Sequence, residues 1–438
     1  MYFSFQGVIA GNDPLLNTGI RYLDVAVLAS GTYLFAGTGG SGGVTTFRLD
    51  ANGSSAQRID QAYFTESAWP YVGSVLATLT IDARSYAVVG GDAANDLLVY
   101  DVDPQGRLGN FDDIGNLPGG ADHVTDAISV QASGRTVVYV ADAGRGDVHW
   151  MVSNGAGALQ TSGTGHINLD GAQDLATVDT SSGQFVLVTD RTTQDLISFA
   201  VDPATGALSE VARIGAATGL WFTDPTGLEL VSAFGTTFAI VPAAGSHSLS
   251  VAQVTSDGTL IATDHLIDTR ETRFGGAQSV AVAQSGDHVF VVTGGADDGV
   301  SLFKLLPNGR LVHLETLPHN TGGGLMNVSD IAATITGDTL QIFASSQNSG
   351  GVAQYHVSVA NLGRTATTTG TAGDDILIAT TGSATLSGGA GDDILVSTDG
   401  DVTLTGGNGA DIFVITEAHS TTRITDFEDG QDRIDMSG

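Results

Sequence analysis

Along residues 20–369, apolar and polar positions alternate in runs of six to eight residues. Val, Leu, Phe and Thr fill the runs, and Gly, Asp and Asn-Gly pairs cut them. A period of two puts successive side chains on opposite faces, so each run predicts a short strand. No stretch carries the 3.6-residue apolar period of an amphipathic helix. Four runs follow one another in AQSVAVAQ (277–284), HVFVVTG (288–294), VSLFKLL (300–306) and RLVHLETL (310–317). The runs DLATVDT, QFVLVTD, DLISFAVD and LSEVARIG repeat the same plan earlier in the chain.

One strand per unit aligns Phe47, Tyr100, Trp150, Phe199, Val251, Phe303 and Tyr355, at steps of 53, 50, 49, 52, 52 and 52 residues. Seven four-stranded units at this spacing predict an all-β, seven-bladed β-propeller over residues 1–363. The seventh unit offers VSDIAATIT, TLQIFASS and GVAQYHVSV, then only the short polar RTATTTG. Residues 2–10 form a spare strand ahead of the first unit. They are expected to close the last blade, hiding an edge that would otherwise pair with other chains. The third strand and its turn read FRLDANG, YDVDPQG, FAVDPATGAL and FKLLPNGRL. These resemble the repeats of lactonase and YVTN-type seven-bladed propellers over about 350 residues. That resemblance implies the fold; propellers host many functions.

The pattern changes at Gly370. Five blocks of nine residues run to Val414 without a gap: GTAGDDILI, ATTGSATLS, GGAGDDILV, STDGDVTLT and GGNGADIFV. The eighth position is always apolar: Leu377, Leu386, Leu395, Leu404 and Phe413. One such residue per block can stack into a shared core. Three blocks follow G-G-x-G-x-D-x-U-x, where U is a large apolar residue, and so resemble the RTX (haemolysin-type calcium-binding) repeat. The resemblance implies a parallel β-roll of nonapeptide repeats over 370–414, with two blocks per coil. Blocks one, three and five then share one edge, with Asp375, Asp393 and Asp411 at the sixth position; the other edge has Ala384 and Val402 there. Glycine turns and these aspartates present hard oxygens of the kind Ca²⁺ takes, six to eight at roughly 2.3–2.6 Å. The candidate metal-site residues are Gly370, Gly373, Asp375, Gly388, Gly389, Gly391, Asp393, Gly406, Gly407, Gly409 and Asp411. About two ions are expected, each shared by two loops. Thr371 and Ala410 depart from the family pattern, where Gly and a carboxylate stand in the better copies.

Residues 364–369 read as a linker, and 415–438 as a continuation and cap of the roll. In that tail Asp426, Asp429 and Asp432 either add an ion or face water. Related rolls run further, so a truncated chain is expected. With the eighth residue inward, Ile376, Ile378, Ile394, Val396, Ile412 and Val414 point outward. An apolar sheet face of that size is expected to be covered, by the propeller or by the tail.

The net charge is −32, from 48 acidic and 16 basic residues. Aspartate accounts for 41 of the acids, and Lys304 is the single lysine. Asp suits turns and Ca²⁺ sites, and this charge disfavours nucleic acid and anionic membranes. There is no cysteine, which excludes disulfides and thiolate zinc. The start MYFSFQGVIAGND has neither the basic nor the apolar region of a signal peptide. No run reaches the roughly 18 apolar residues of a membrane helix. The RTX resemblance implies export by a type I system to the cell exterior, and a monomer is expected.

Gly37–Gly43 follows a strand, but no helix follows it, so a hairpin turn is expected there rather than a phosphate cradle. G-x-S-x-G, P-loop and H-E-x-x-H motifs are missing. His123, His166, Arg145, Arg191 and Arg270 lie near blade junctions and are candidates for a central channel, although structural roles fit them better. Asn52 and Asn327 fit the glycosylation pattern. No catalytic residue is assignable from the sequence. The reading is a secreted calcium-binding protein whose roll folds on Ca²⁺, with the propeller as a binding or scaffold module holding an unidentified ligand on its face. The enzymatic rival is a lactonase-like hydrolase in the central pocket, marked by a bound metal or by a cluster of perturbed carboxylates and histidines on the axis. A binding groove would instead be marked by Trp69, Trp150 or Trp221.

Overall fold

The computed structural model describes residues 3–50, 53–66, 68, 72–91, 97–115, 117, 123–156, 159–320, 322–379, 384–398, 400–416 and 421–436. Tyr2, Asn52 and Trp69, singled out above, lie outside them. The chain divides into two compact units: Met1–Gln284 with Val289–Val357, and Ser358–Gly438 with Ser285–His288.

The first unit is a seven-bladed β-propeller. Six blades are antiparallel sheets of four consecutive strands, beginning at Ile20, Val72, Val124, Ala172, Glu229 and Ser279. The seventh takes three strands, Val328–Thr336, Thr339–Ser346 and Val352–Ser358, and its outer strand is Ser4–Ile9 from the other end of the chain. Val8 pairs with Ala353 and Ile9 with Val352. The Phe3 N–H donates to Glu315 Oε2 on the outer strand of blade six at 2.9 Å. The seven aligned residues all fall on third strands and all are buried.

Blades stack through both faces, so the middle strands are apolar throughout rather than alternating. In blade three, Val137, Tyr139 and Ala141 pack toward Val186 and Val188 of blade four. Val138 and Val140, one step out of phase, pack toward Val88 and Val99 of blade two. Burial on both faces selects such runs. Gly37 to Gly43 forms the hairpin between Gly31–Thr38 and Gly43–Arg48.

The innermost strands carry the feature that shapes the axis. A β-bulge interrupts the ladder between Ile20 and Tyr22, Val124 and Asp126, Ala172 and Asp174, and Val328 and Asp330. Each bulge adds one residue and re-aims the side chains beside it. Polar residues thereby enter the axis.

The second unit is a two-sheet parallel roll. One sheet holds Leu362–Ala366, Asp374–Ile378, Ile394–Ser397, Ile412–Ile415 and Arg433–Asp435; the other holds Ala384–Ala390, Val402–Asn408 and Thr422–Ile424. Ile376, Ile394 and Ile412 stand in register, as do Leu386 and Leu404. Leu377, Leu395, Phe413, Leu386 and Leu404 meet between the sheets, fully buried. The stretch read as a linker enters the roll, because Leu362–Ala366 pairs in parallel with Asp374–Ile378. The tail supplies a further coil through Thr422–Ile424 and Arg433–Asp435. Of the six outward residues, Ile376, Ile394, Val396, Ile412 and Val414 are buried and Ile378 is half-buried.

Deleting residues 1–10 strips blade seven of its outer strand and exposes the edge of Val352–Ser358. The expected result is a melting temperature lowered by more than about 5 °C and faster proteolysis of the propeller. Thermal unfolding of the deleted and full chains checks it.

Candidate metal centre and axial pocket

The roll sets its loops one above another along one edge, 18 residues apart, and the sixth-position aspartates link them. Asp393 Oδ1 accepts the Asp375 N–H at 2.9 Å, and Asp411 Oδ1 accepts the Asp393 N–H at 2.9 Å. Asp432 Oδ1 continues the ladder by accepting the Asp411 N–H at 3.0 Å. Fifth-position aspartates form a parallel ladder, Asp374 to the Asp392 N–H and Asp392 to the Ala410 N–H, both at 2.9 Å. Ala410 ends that ladder; above it Gln431 Nε2 donates to the Gly409 carbonyl at 2.6 Å.

Each sixth-position carboxylate has a second oxygen. On Asp393 and Asp411 that Oδ2 is enclosed and has no hydrogen-bond partner. Burial pushes the Asp393 carboxyl up to about 7, opposed by its backbone hydrogen bond and reinforced by the Asp411, Asp375 and Asp374 charges. Burial likewise pushes Asp411 up to about 6, with Asp432, Asp426 and Asp392 adding repulsion. Asp375 differs. Its Oδ2 accepts the Thr371 N–H at 2.5 Å and the Thr371 hydroxyl at 3.0 Å, and its Oδ1 accepts the Arg364 N–H at 2.6 Å. Thr371, the departure from the glycine pattern, thus satisfies the first carboxylate from within its own loop.

Glycine is required where a side chain would fill the space between loops. A Cβ on Gly388 would overlap Asp393 Oδ2 and press on the Gly406 carbonyl oxygen. One on Gly370 would overlap the Gly388 carbonyl oxygen and press on Asp375 Oδ2. Two cradles, each bordered by a carboxylate and a carbonyl oxygen, therefore lie between blocks one and three and between three and five. Gly389, Gly391, Gly407 and Gly409 turn through positive φ between 113° and 136°, a conformation other residues rarely adopt. Gly373 and Gly406 complete the loops. Such a donor set suits a hard cation. Among the described residues, no group of three or more His, Cys, Asp and Glu side chains converges as a metal site; in the roll, carbonyl oxygens complete the cradles. In the tail, Asp426 accepts the Gly406 and Gly407 N–H groups at 3.0 and 2.9 Å, so it caps the last loop, while Asp429 is exposed.

The propeller holds a second concentration of charge that sequence reading missed. A pocket of about 570 Å³ on the axis is lined by Asp24, Asp126, Asp174, Glu229 and Asp330. Three of these belt the ring together. Asp330 Oδ2 accepts the Leu23 N–H at 2.6 Å, Asp24 Oδ2 the Thr78 N–H at 2.6 Å, and Asp126 Oδ2 the Leu175 N–H at 3.0 Å. Each bond runs from one blade to the next. Ser279 joins the belt, with its hydroxyl donating to Asp330 Oδ1 at 2.7 Å and accepting the Ile331 N–H at 3.0 Å. Burial raises the Asp24 and Asp126 carboxyls, and raises Asp174 well above the usual range with help from the adjoining Asp126 charge. Asp126 and Asp174 lie within hydrogen-bonding reach of each other. Burial pushes Asp330 up to about 6. Glu229 goes to about 8, through burial first and then the Asp24, Asp330 and Asp126 charges.

Of the channel candidates named from sequence, His123 lines this pocket. His166 lies on the outer strand of blade three, its ring 5.8 Å from that of His149. Arg191 pairs with Asp224, and Arg145 and Arg270 sit away from the pocket lining. The arginine at the pocket is Arg21, a bulge residue. Trp150 is buried and Trp221 is 64% exposed.

Residues 340–438 match the family described as Peptidase M10 serralysin C terminal. No curated protein matches the chain. Among solved structures, a periplasmic gluconolactonase from Pseudomonas aeruginosa is 17% identical, with a TM-score of 0.51 over 72% of this chain and 96% of that one. A protein from Lactobacillus plantarum is 17% identical, with a TM-score of 0.51 over 70% of this chain and 86% of that one. These two likenesses show the fold of the first unit, a seven-bladed propeller with lactonase-like neighbours, and the family match shows that the chain carries a serralysin-type C-terminal domain.

The axial carboxylates set a pH dependence. An unfolded glutamate releases its proton near 4.3, whereas folded Glu229 keeps it to about 8. The native state therefore binds more protons across that window. Stability is greatest below it and falls as pH rises through it. Thermal melts from pH 4.5 to 9 should show this fall, and Glu229→Gln should make it shallower above about pH 6, where Asp330 has already titrated, leaving the part set by Asp174 and Asp393.

Proposed function

We propose that the chain is a secreted, calcium-dependent protein whose C-terminal roll folds on Ca²⁺ outside the cell and whose propeller is the binding module it carries. The observation that carries this reading is the pair of enclosed, unpartnered oxygens, Asp393 Oδ2 and Asp411 Oδ2. A buried acceptor without a donor costs roughly 1–3 kcal/mol, more when charged. Bound Ca²⁺ supplies the missing positive charge. Asp375 and the Gly388 carbonyl border one cradle, and Asp393 and the Gly406 carbonyl border the other; Asp393 also joins the two loops through the Asp375 N–H. The site residues are those eleven glycines and aspartates of blocks one, three and five, and two ions are bound.

Without the cation, Asp393, Asp411, Asp392 and Asp374 repel one another and the roll loosens, a state suited to export. Outside, each site at ten times its Kd adds about 1.4 kcal/mol. Kd values on the order of 10⁻⁴–10⁻³ M suit extracellular modules. Secretion by a type I system accords with the serralysin-type domain, and the working form is a monomer.

The axial carboxylates and the fold shared with a gluconolactonase favour a second reading: a hydrolase acting on a lactone or similar ester. That reading expects ring-opening of gluconolactone to be accelerated by the chain and lost in Glu229→Gln.

Calcium titration of the chelator-treated chain, followed by circular dichroism and limited proteolysis, tests the first reading. Ordering of the C-terminal unit should be cooperative in Ca²⁺. Asp393→Ala should weaken the response most, Asp411→Ala less, and Asp375→Ala least, because Thr371 and Arg364 already satisfy Asp375. A roll equally compact and protease-resistant with and without calcium sinks the proposal.

A further inference from the structure

Charge in the axial pocket points to what the propeller binds, an inference that rests on its being a binding module. Five carboxylates line the pocket, and the cationic candidates are Arg21 and His123, both exposed. The fold accounts for Asp24, Asp126 and Asp330, which hold N–H groups of neighbouring blades. It does not account for Glu229. That carboxyl makes no hydrogen bond among the described residues, and the charges acting on it are those of Asp24, Asp330 and Asp126. The hydroxyls of Thr125 and Ser329, on two of the bulges, also border the pocket, enclosed and without partners. Acceptors held together in this way are costly unless a donor arrives.

The lining narrows the donor. A phosphorylated or carboxylated ligand would meet like charge. A quaternary ammonium group needs an aromatic wall, and among the described residues Tyr22 is the one Phe, Tyr or Trp in the lining. A protonated amine with further hydroxyl or amine donors satisfies the geometry. Its ammonium offers donors and positive charge to Glu229 and the Asp126–Asp174 pair, and Gln173 and Gln278 line the same pocket with amide groups for hydroxyls. The volume of about 570 Å³ suits a small polar molecule.

We propose that the axial pocket of the propeller binds a small primary or secondary amine bearing further hydrogen-bond donors, an amino sugar or a polyamine. A cation arriving beside these carboxyls displaces protons, so binding near neutral pH releases them.

Isothermal titration of the full, calcium-loaded chain tests this with glucosamine, spermidine, N-acetylglucosamine and 6-phosphogluconate, in two buffers of different ionisation enthalpy. The expected result is binding of glucosamine or spermidine at least about tenfold tighter than N-acetylglucosamine, with proton release, and about tenfold weaker binding by Glu229→Gln. Thermal melts of that variant should show it folded. Glucosamine tighter than spermidine assigns the amino sugar, and the reverse assigns the polyamine. Equal binding of glucosamine and its N-acetyl form, or preferential binding of 6-phosphogluconate, overturns the amine assignment while leaving a binding module. Failure of every probe up to roughly 10 mM overturns both.

Discussion

Both units are held by one interaction: an aspartate side chain accepting a backbone N–H from the next repeat. In the propeller it joins blade to blade around the axis, through Asp330, Asp24 and Asp126. In the roll it joins coil to coil along one edge, through Asp393, Asp411 and Asp432. A charged acceptor makes a hydrogen bond roughly twice as strong as a neutral one. Apolar faces between repeats tolerate sliding, and these bonds help fix register. They also give an account of a chain with 41 aspartates and 7 glutamates, because the short side chain reaches a neighbouring N–H without leaving the strand.

The same device concentrates charge. A carboxylate has two oxygens, and the backbone offers one N–H. The leftover Oδ2 of Asp393 is enclosed beside a carbonyl-lined cradle and that of Asp411 is enclosed at the next loop, where burial first and then repulsion make ionisation expensive without a cation. On the propeller axis, relief comes differently. Burial and the adjoining Asp126 charge raise the Asp174 carboxyl, and Glu229 holds its proton to about pH 8. Carboxylates assembled for architecture thus create two places where positive charge is wanted, one suited to a hard ion between loops and the other to a ligand in a cavity.

Thr371 and Gln431 illustrate how departures from the repeat are absorbed. Thr371 turns its hydroxyl onto Asp375 and completes that carboxylate within the loop. Gln431 reaches the Gly409 carbonyl where the fifth-position ladder stops at Ala410. In both cases a neutral donor stands where the regular pattern leaves an oxygen needing one.

The sequence by itself determined the repeats, and through them both architectures, because stacking demands constant spacing: near 50 residues for a blade and nine for a block. Apolar period two in the strands and the apolar eighth position in the roll were legible for the same reason. Only the tertiary structure decided the axial pocket. Asp24, Asp126, Asp174, Glu229 and Asp330 are separated by many residues, and each reads locally as an acid in a strand. Bulges, which sequence periodicity does not report, turn three of them to a common axis. Which sixth-position carboxylate remained unsatisfied was also a tertiary matter, since it depends on a hydrogen bond from Thr371 and an N–H from Arg364 in the preceding coil. Spacing along a chain fixes what repeats; closure of the ring and stacking of the coils fix which polar atoms are left without a partner.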